Sequence, residues 1–185
     1  AIHAGKAALN AHYKRIGWNA RAQEGAVDGW YQTKFTLKEE PLVSILIPNK
    51  DHTDDLDVCL NSFFERADYQ NYEFIIIENN SVLPETFAYY EKIEKEHDNV
   101  KVVYWEAGFN YSTINNFGFK FAKGDYIMLL NNDVELITSD IFQSMLGFCM
   151  RPEVGIVGAK LLYNDHTVQH AGVLVGAGGL ADHVF

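Results

Sequence analysis

Beyond Pro41 the chain alternates short apolar runs with longer amphipathic ones, the pattern of strands buried between layers of helices. The run at 43–47 predicts a strand covered on both faces. Leu56, Leu60, Phe63 and Phe64 then recur at helical spacing across 54–65, with Thr53 or Asp51 placed to cap that helix. A strand at 74–77, a helix from Pro84 to about residue 97 and a strand at 100–104 follow. A third helix, near 112–122, stops at Gly124 and feeds a buried strand at 126–130. The order βαβαβαβ predicts an α/β fold with a mainly parallel sheet flanked by helices.

Ahead of Pro41 the pattern changes. Ala4, Ala7, Ala8, Leu9 and Ile16 predict a helix with Gly17 as its stop. Gly17, Gly25 and Gly29 then interrupt any regular period, and Trp30, Tyr31 and Phe35 mark an aromatic segment lying against the main domain. The predicted organisation is a helical and aromatic appendage over 1–40 and one α/β domain over 41–185. Length and composition agree with it: 185 residues, 48% hydrophobic and 22% charged, suffice for one folded core and not for two ordinary domains.

The formal net charge of −10 repels polyanions, so nucleic acid is excluded as a partner and a phosphate ligand calls for a cation. The longest apolar runs, 75–77 and 126–130, fall far short of the roughly 20 residues that span a bilayer. His3, Lys6, His12, Lys14 and Arg15 are scattered through the N-terminal segment, unlike a secretory signal peptide. Cys59 and Cys149 read as small buried hydrophobes, which suits a reducing, cytoplasmic setting.

In parallel sheets ligands bind at the carboxyl ends of the strands. The first predicted strand runs into Pro48, Asn49, Lys50 and Asp51, the second into Glu78, Asn79, Asn80 and Ser81, and the fourth into Asn131, Asn132, Asp133, Val134 and Glu135. Three polar ends predict one cleft. Asp133 is the candidate metal ligand, because Mg²⁺ or Mn²⁺ takes oxygen donors, commonly one or two carboxylates completed by substrate phosphate. The alternative is an ordinary turn in which Asn and Asp serve geometry. Asn110, Asn115 and Asn116, around the start of the third helix, suit either sugar and phosphate contacts or helix capping. His166 and His170 are four apart, as a zinc pair on a helix would be, but no third ligand follows at a zinc-like interval. Gly176, Gly178 and Gly179 lack the following helix of a dinucleotide fingerprint.

Several pieces in order resemble the family-2 glycosyltransferases. "PLVSILIPNKD" is similar to the family's first strand and nucleotide loop, and "YEFIIIENNS" to its second strand with a base-reading acid. "AGFNYSTINNFGFKFAKGDYIMLLNND" resembles the run of glycine-containing loop, Asn-x-Gly helix, Gly-Asp-Tyr and metal-binding Asp-x-Asp, and "TVQHAGVLVGAGGLADHVF" the stretch beyond it in polysaccharide-assembling members. The resemblance implies the GT-A fold, with Pro48 and Asn49 lining the nucleotide pocket and Glu78 on the base edge. It places Asn131 against the ribose and Asp133 on the metal. Together with Asp51, Asn80, Asn110, Asn116 and Asn132, these are the candidate nucleotide-binding residues. Glu78 stands where Asp is commoner, which loosens the base assignment. Asn131 replaces an acid, and an amide is the poorer metal ligand.

The resemblance implies metal-dependent, inverting transfer from a UDP- or dTDP-linked sugar to a saccharide or lipid-linked saccharide of a bacterial surface polysaccharide. That work is cytoplasmic, including the inner face of the cytoplasmic membrane. The alternatives are a non-catalytic nucleotide-sugar or carbohydrate-binding module, or a nucleotidyltransferase, although the loop after the first strand has no glycine. An inverting transferase also needs a general base. Glu135, Asp140, Glu153 and Asp165 are poorly placed in sequence, and Asp182 is the least poor candidate. The expectation is a chain cut before its acceptor-binding half, with the base beyond Phe185, flanked by further sequence at both ends, and binding its donor without transferring it.

Overall fold

The computed structural model describes residues 2–176 and 179–183; Gly178 lies outside the described residues. By its contacts the chain forms two compact units, Lys38–Phe142 and Ala1–Leu37 with Gln143–Phe185. The second boundary, after Phe142, does not appear in the sequence pattern, which carried one domain from 41 to 185.

In one unit, helix α1 (Ile2–Arg15) precedes a hairpin of β1 (Ala20–Glu24) and β2 (Tyr31–Phe35). Gly17, at φ +74°, ends α1 in the left-handed conformation that glycine adopts without strain. Tyr13 is buried, stacks on Trp18 with ring centroids 5.7 Å apart and shares a 2.7 Å hydrogen bond with Thr33. The glycine-interrupted stretch, which gave no periodic signal, is therefore a two-stranded ribbon. Phe35 packs on Trp18 and Phe148, whereas Trp30 is exposed.

The other unit holds β3 (Val43–Asn49), α2 (Thr53–Arg66), β4 (Tyr72–Glu78), α3 (Pro84–Glu96), β5 (Val100–Tyr104), α4 (Tyr111–Phe119) and β6 (Tyr126–Leu129). Beyond it, α5 (Ile141–Cys149) spans the second division, and β7 (Leu161–Leu162), β8 (Val168–His170), β9 (Val173–Val175) and β10 (Ala181–His183) pair as two short antiparallel ribbons. No helix among the described residues is long and apolar enough to cross a membrane.

The central sheet is wholly parallel, in the order β5-β4-β3-β6. Leu46, Ile75, Ile77 and Val103 form one buried cluster with Ile114 of α4. Phe74, on the other parity, meets Phe63 and Phe64 of α2 edge to face. Burial on both faces explains why β3 and β4 read as nearly continuous apolar runs, each fully buried large side chain contributing about 1.5–3 kcal/mol. The expected burial of β6 is not met: it lies at the end of the sheet order, and Leu129 is 52% exposed.

Polar groups brace the amino ends of the strands. Ser44 is fully buried; its hydroxyl donates to Glu73 Oε1 at 2.7 Å and accepts the Gly124 amide at 2.8 Å. The Lys123 amide donates to the same carboxylate oxygen at 2.8 Å. This clamp brings the backbone at Gly124 so near β3 that a Cβ there would meet Leu42 O at 2.6 Å and Ser44 N at 2.7 Å. Gly124→Ala is therefore expected to destabilise the chain by an overpacking cost of about 1–3 kcal/mol. Gly155→Ala, which meets open space, is expected to stay within about 0.5 kcal/mol of wild type. Urea midpoints measure both, and equal midpoints for the two variants would contradict the clamp.

Candidate functional site

The strand order reverses direction between β3 and β6, since β4 and β5 extend to one side of β3 and β6 to the other. Ligands of open α/β sheets bind outside the carboxyl ends at such a switch point. Here the end of β3 and the chain past β6 meet: Asn132 Nδ2 donates to Asn49 Oδ1 at 2.7 Å. Around this bond lies a cleft of about 500 Å³ lined by Pro48, Asn49, Lys50, His52, Asn79, Asn80, Gly108, Phe109, Tyr111, Asn131 and Asn132. Its volume suits a small ligand, for which pockets run about 300–1,000 Å³. A second hollow, of about 800 Å³, lies in the other unit between His12, Trp18 and Arg151. It gathers no strand ends, and its Arg151 is engaged with Trp18 and Glu153.

Of the residues expected from sequence, Pro48, Asn49, Asn80, Asn131 and Asn132 line the cleft together. The two carboxylates expected beside them are turned to the protein. Asp51, at φ +59°, accepts the amides of Val82 and Leu83 at 3.0 Å and the Thr86 hydroxyl at 3.2 Å. It thus ties the loop after β3 to the turn that enters α3, where a cap for α2 was expected; the N-cap residues of both helices, His52 and Leu83, make no side-chain cap bond. Burial pulls the Asp51 pKa upward, but the Leu83 and Val82 amides, the Thr86 hydroxyl and Lys50 together outweigh it and hold the carboxyl below its ordinary value. Glu78 is 3% exposed and accepts the Ser81 amide and hydroxyl, both at 2.5 Å, and the Tyr90 hydroxyl at 2.9 Å.

Asn110 is the N-cap of α4, accepting the Thr113 amide at 3.0 Å. Asn116 is exposed on α4, and Asn115, buried beside it, donates to Tyr111 O. Asp133 is exposed one residue past the cleft lining. Helix α2 racks the segment that carries it. The Cys59 thiol lies 3.9 Å from Asn131 O, Ser62 accepts the Leu136 amide at 2.9 Å, and Arg66 reaches both Leu136 O and Glu135 at 2.7 Å. Burial, with Asp133 nearby adding to it against a hydrogen bond from Val134, pushes the Cys59 thiol up to about 12, so it stays protonated and inert. Asp182 is on β10, in register with Leu174.

The sequence reading did not single out His52, Gly108, Phe109 and Tyr111, nor choose Lys50 and Asn79 from the polar strand ends. Gly108 and Phe109 come from the loop after β5 and Tyr111 from the start of α4, and none of the three carries a strong polar signal. Asn79 explains its place, because its Nδ2 donates to the carbonyls of Trp105 and Ala107 and fastens that loop across the end of β4.

Residues 44–172 match the sequence profile described as Glycosyl transferase family 2. The chain belongs to that family. Its α/β architecture is that of GT-A glycosyltransferases. It is 39% identical over its whole length to the O-antigen biosynthesis protein RfbC of Myxococcus xanthus, covering 14% of that protein. It is 38% identical over 99% of its length to protein y4gI of Sinorhizobium fredii, covering 20% of it. The chain thus spans a fifth or less of these relatives. Among solved structures it resembles the mannosyltransferase PcManGT from Pyrobaculum calidifontis in complex with GDP-Man and Mn²⁺, with a TM-score of 0.58 at 14% identity, over 83% of this chain and 42% of that one.

The tie made by Asp51 carries a pH signature. Its folded pKa lies below the ordinary value, so the stabilisation from its charge is complete above the unfolded pKa and is lost as pH falls through the folded one. The stability gap between wild type and Asp51→Asn is expected to be flat above about pH 5 and to close below about pH 4. Urea midpoints across that range test it, and a gap that widens on acidification would overturn the assignment.

Proposed function

We propose that this family-2 domain binds a nucleotide-diphosphate sugar, UDP- or dTDP-linked, in the switch-point cleft, as the donor for metal-dependent, inverting transfer to a saccharide or lipid-linked saccharide of a surface polysaccharide. The observation that carries this reading is the convergence of five asparagine residues, Asn49, Asn79, Asn80, Asn131 and Asn132, with Lys50 and two exposed aromatics, Phe109 and Tyr111, at the carboxyl ends of the strands. Amides supply both donors and acceptors to hydroxyls and base edges, and the aromatic rings offer faces for a planar or sugar ring. The name of the Myxococcus relative supports the polysaccharide class. The Mn²⁺ and GDP-Man bound to the Pyrobaculum mannosyltransferase support a divalent ion beside a nucleotide sugar.

The residues present fit such an ion. Asp133 is an exposed carboxylate directly after two amide side chains, and a Mg²⁺ or Mn²⁺ bound through one carboxylate takes its remaining oxygens from phosphate and water. The ion would offset the diphosphate charge and stabilise it as a leaving group. In the transfer, the acceptor oxygen bonds to the anomeric carbon as the bond to the diphosphate breaks, and the acceptor proton passes to a base. Among the described residues no carboxylate lines the cleft, so the function assigned to this cleft is donor binding.

Calorimetric titration with UDP and dTDP, in Mn²⁺ and in EDTA, tests the reading. Binding in Mn²⁺ is expected to weaken about tenfold or more, at least ~1.4 kcal/mol, in EDTA or in Asp133→Ala. Equal affinity with and without the ion would remove the metal assignment, and no binding of either nucleotide would remove the function.

A further inference from the structure

The asparagine pair at the switch point is one end of a longer chain of hydrogen bonds. Asn132 Nδ2 donates to Asn49 Oδ1 at 2.7 Å, Asn49 Nδ2 donates to the Tyr90 hydroxyl at 2.8 Å, and Tyr90 donates to Glu78 Oε2 at 2.9 Å. Ser81 closes the far end with two further bonds to the same carboxylate. Asn49, Glu78 and Tyr90 are 3%, 3% and 1% exposed, so water does not compete for these bonds.

Each link has a direction, and one residue sets it. An amide side chain can present either its oxygen or its nitrogen, and a phenol both donates and accepts. The Tyr90 hydroxyl gives its single proton to Glu78 Oε2, and its oxygen is left to accept from Asn49. That fixes the Asn49 amide with its nitrogen inward and its oxygen toward Asn132. Asn132 in turn commits an N–H to Asn49 and keeps its carbonyl oxygen for another partner.

The geometry points to Glu78 and Tyr90 as positioning residues that set, through Asn49, the donor and acceptor polarity of Asn132 in the ligand cleft. Glu78 thereby acts without touching the ligand, in place of the base-edge contact that the sequence resemblance implies. The inference rests on the proposed nucleotide-binding function. It differs from it in naming side chains outside the cleft lining as determinants of what the cleft accepts. A flipped Asn49 amide would set two N–H groups against each other across the switch point, and Asn132 would offer the ligand the opposite polarity.

A double-mutant cycle tests this, with UDP and Mn²⁺ as the probe and calorimetry as the readout. It uses the 185-residue chain with Tyr90→Phe, Asn132→Ala and both, at a temperature where circular dichroism shows every variant folded. Tyr90→Phe is expected to weaken UDP binding about tenfold, and the double variant to bind within about twofold of Asn132→Ala alone, since residues of one hydrogen-bond network couple. A purely structural role for Tyr90 would lower the melting temperature and leave the affinity of the folded protein unchanged. Wild-type affinity in Tyr90→Phe, or losses that multiply in the double variant, would overturn the inference while leaving nucleotide binding intact. Failure of the wild-type chain to bind UDP or dTDP would instead remove the proposed function, and this inference with it. Should Tyr90→Phe not fold, Glu78→Gln in the same cycle is expected to show the same weakening and the same non-additivity, and multiplying losses there would overturn the inference equally.

Discussion

Two central strands covered on both faces leave polar groups room only at their ends, and the rest of the unit follows from that restriction. Between Val43 and Ile47, and between Phe74 and Ile77, the neighbours are aliphatic and aromatic side chains above and below the sheet, where an unpaired polar group would cost several kcal/mol, on the order of 2–7. Ser44 is the exception inside β3, and it is tolerated because Glu73 and the Gly124 amide satisfy its hydroxyl. The amino ends carry a structural clamp and the carboxyl ends a cleft. Parallel pairing puts all the carboxyl ends on one side.

At that side the protein separates charge from recognition. Most polar side chains facing the cleft are neutral amides, while the nearby carboxylates Asp51 and Glu78 are engaged with amides and hydroxyls of the chain itself. In a protein of net charge −10, a carboxylate directed into the cleft would repel a diphosphate; directed inward, it braces the loops that shape the cleft. Asp51 joins the loop after β3 to the start of α3, and Glu78 joins the end of β4 to α3 through Tyr90.

The element order was legible in the sequence because two-faced burial and amphipathic spacing are local signals. Val43, Phe74, Val100 and Tyr126 fall in the four strands expected of them. The asparagine residues of the cleft were legible because they directly follow those strands. What Asp51 and Glu78 do was not: their orientation depends on Leu83 and Thr86 in one case and Tyr90 in the other, residues 12 to 35 positions away. The hairpin of β1 and β2 escaped for a different reason, since neither strand is buried enough to show alternation, Ala22 alone being fully covered. The exposure of β6 depends on its place in the strand order, which no local pattern encodes.

The rack that α2 builds beneath the segment bearing Asp133 has a kinetic side. Cys59 is fully buried directly under Asn131, and its thiol is out of reach of any electrophile while that segment is seated. Alkylation of Cys59 would require the turn to lift from the helix, so the rate of labelling would report that opening. A ligand that bridges the two sides of the switch point would slow that labelling, which makes its rate a measure of closure.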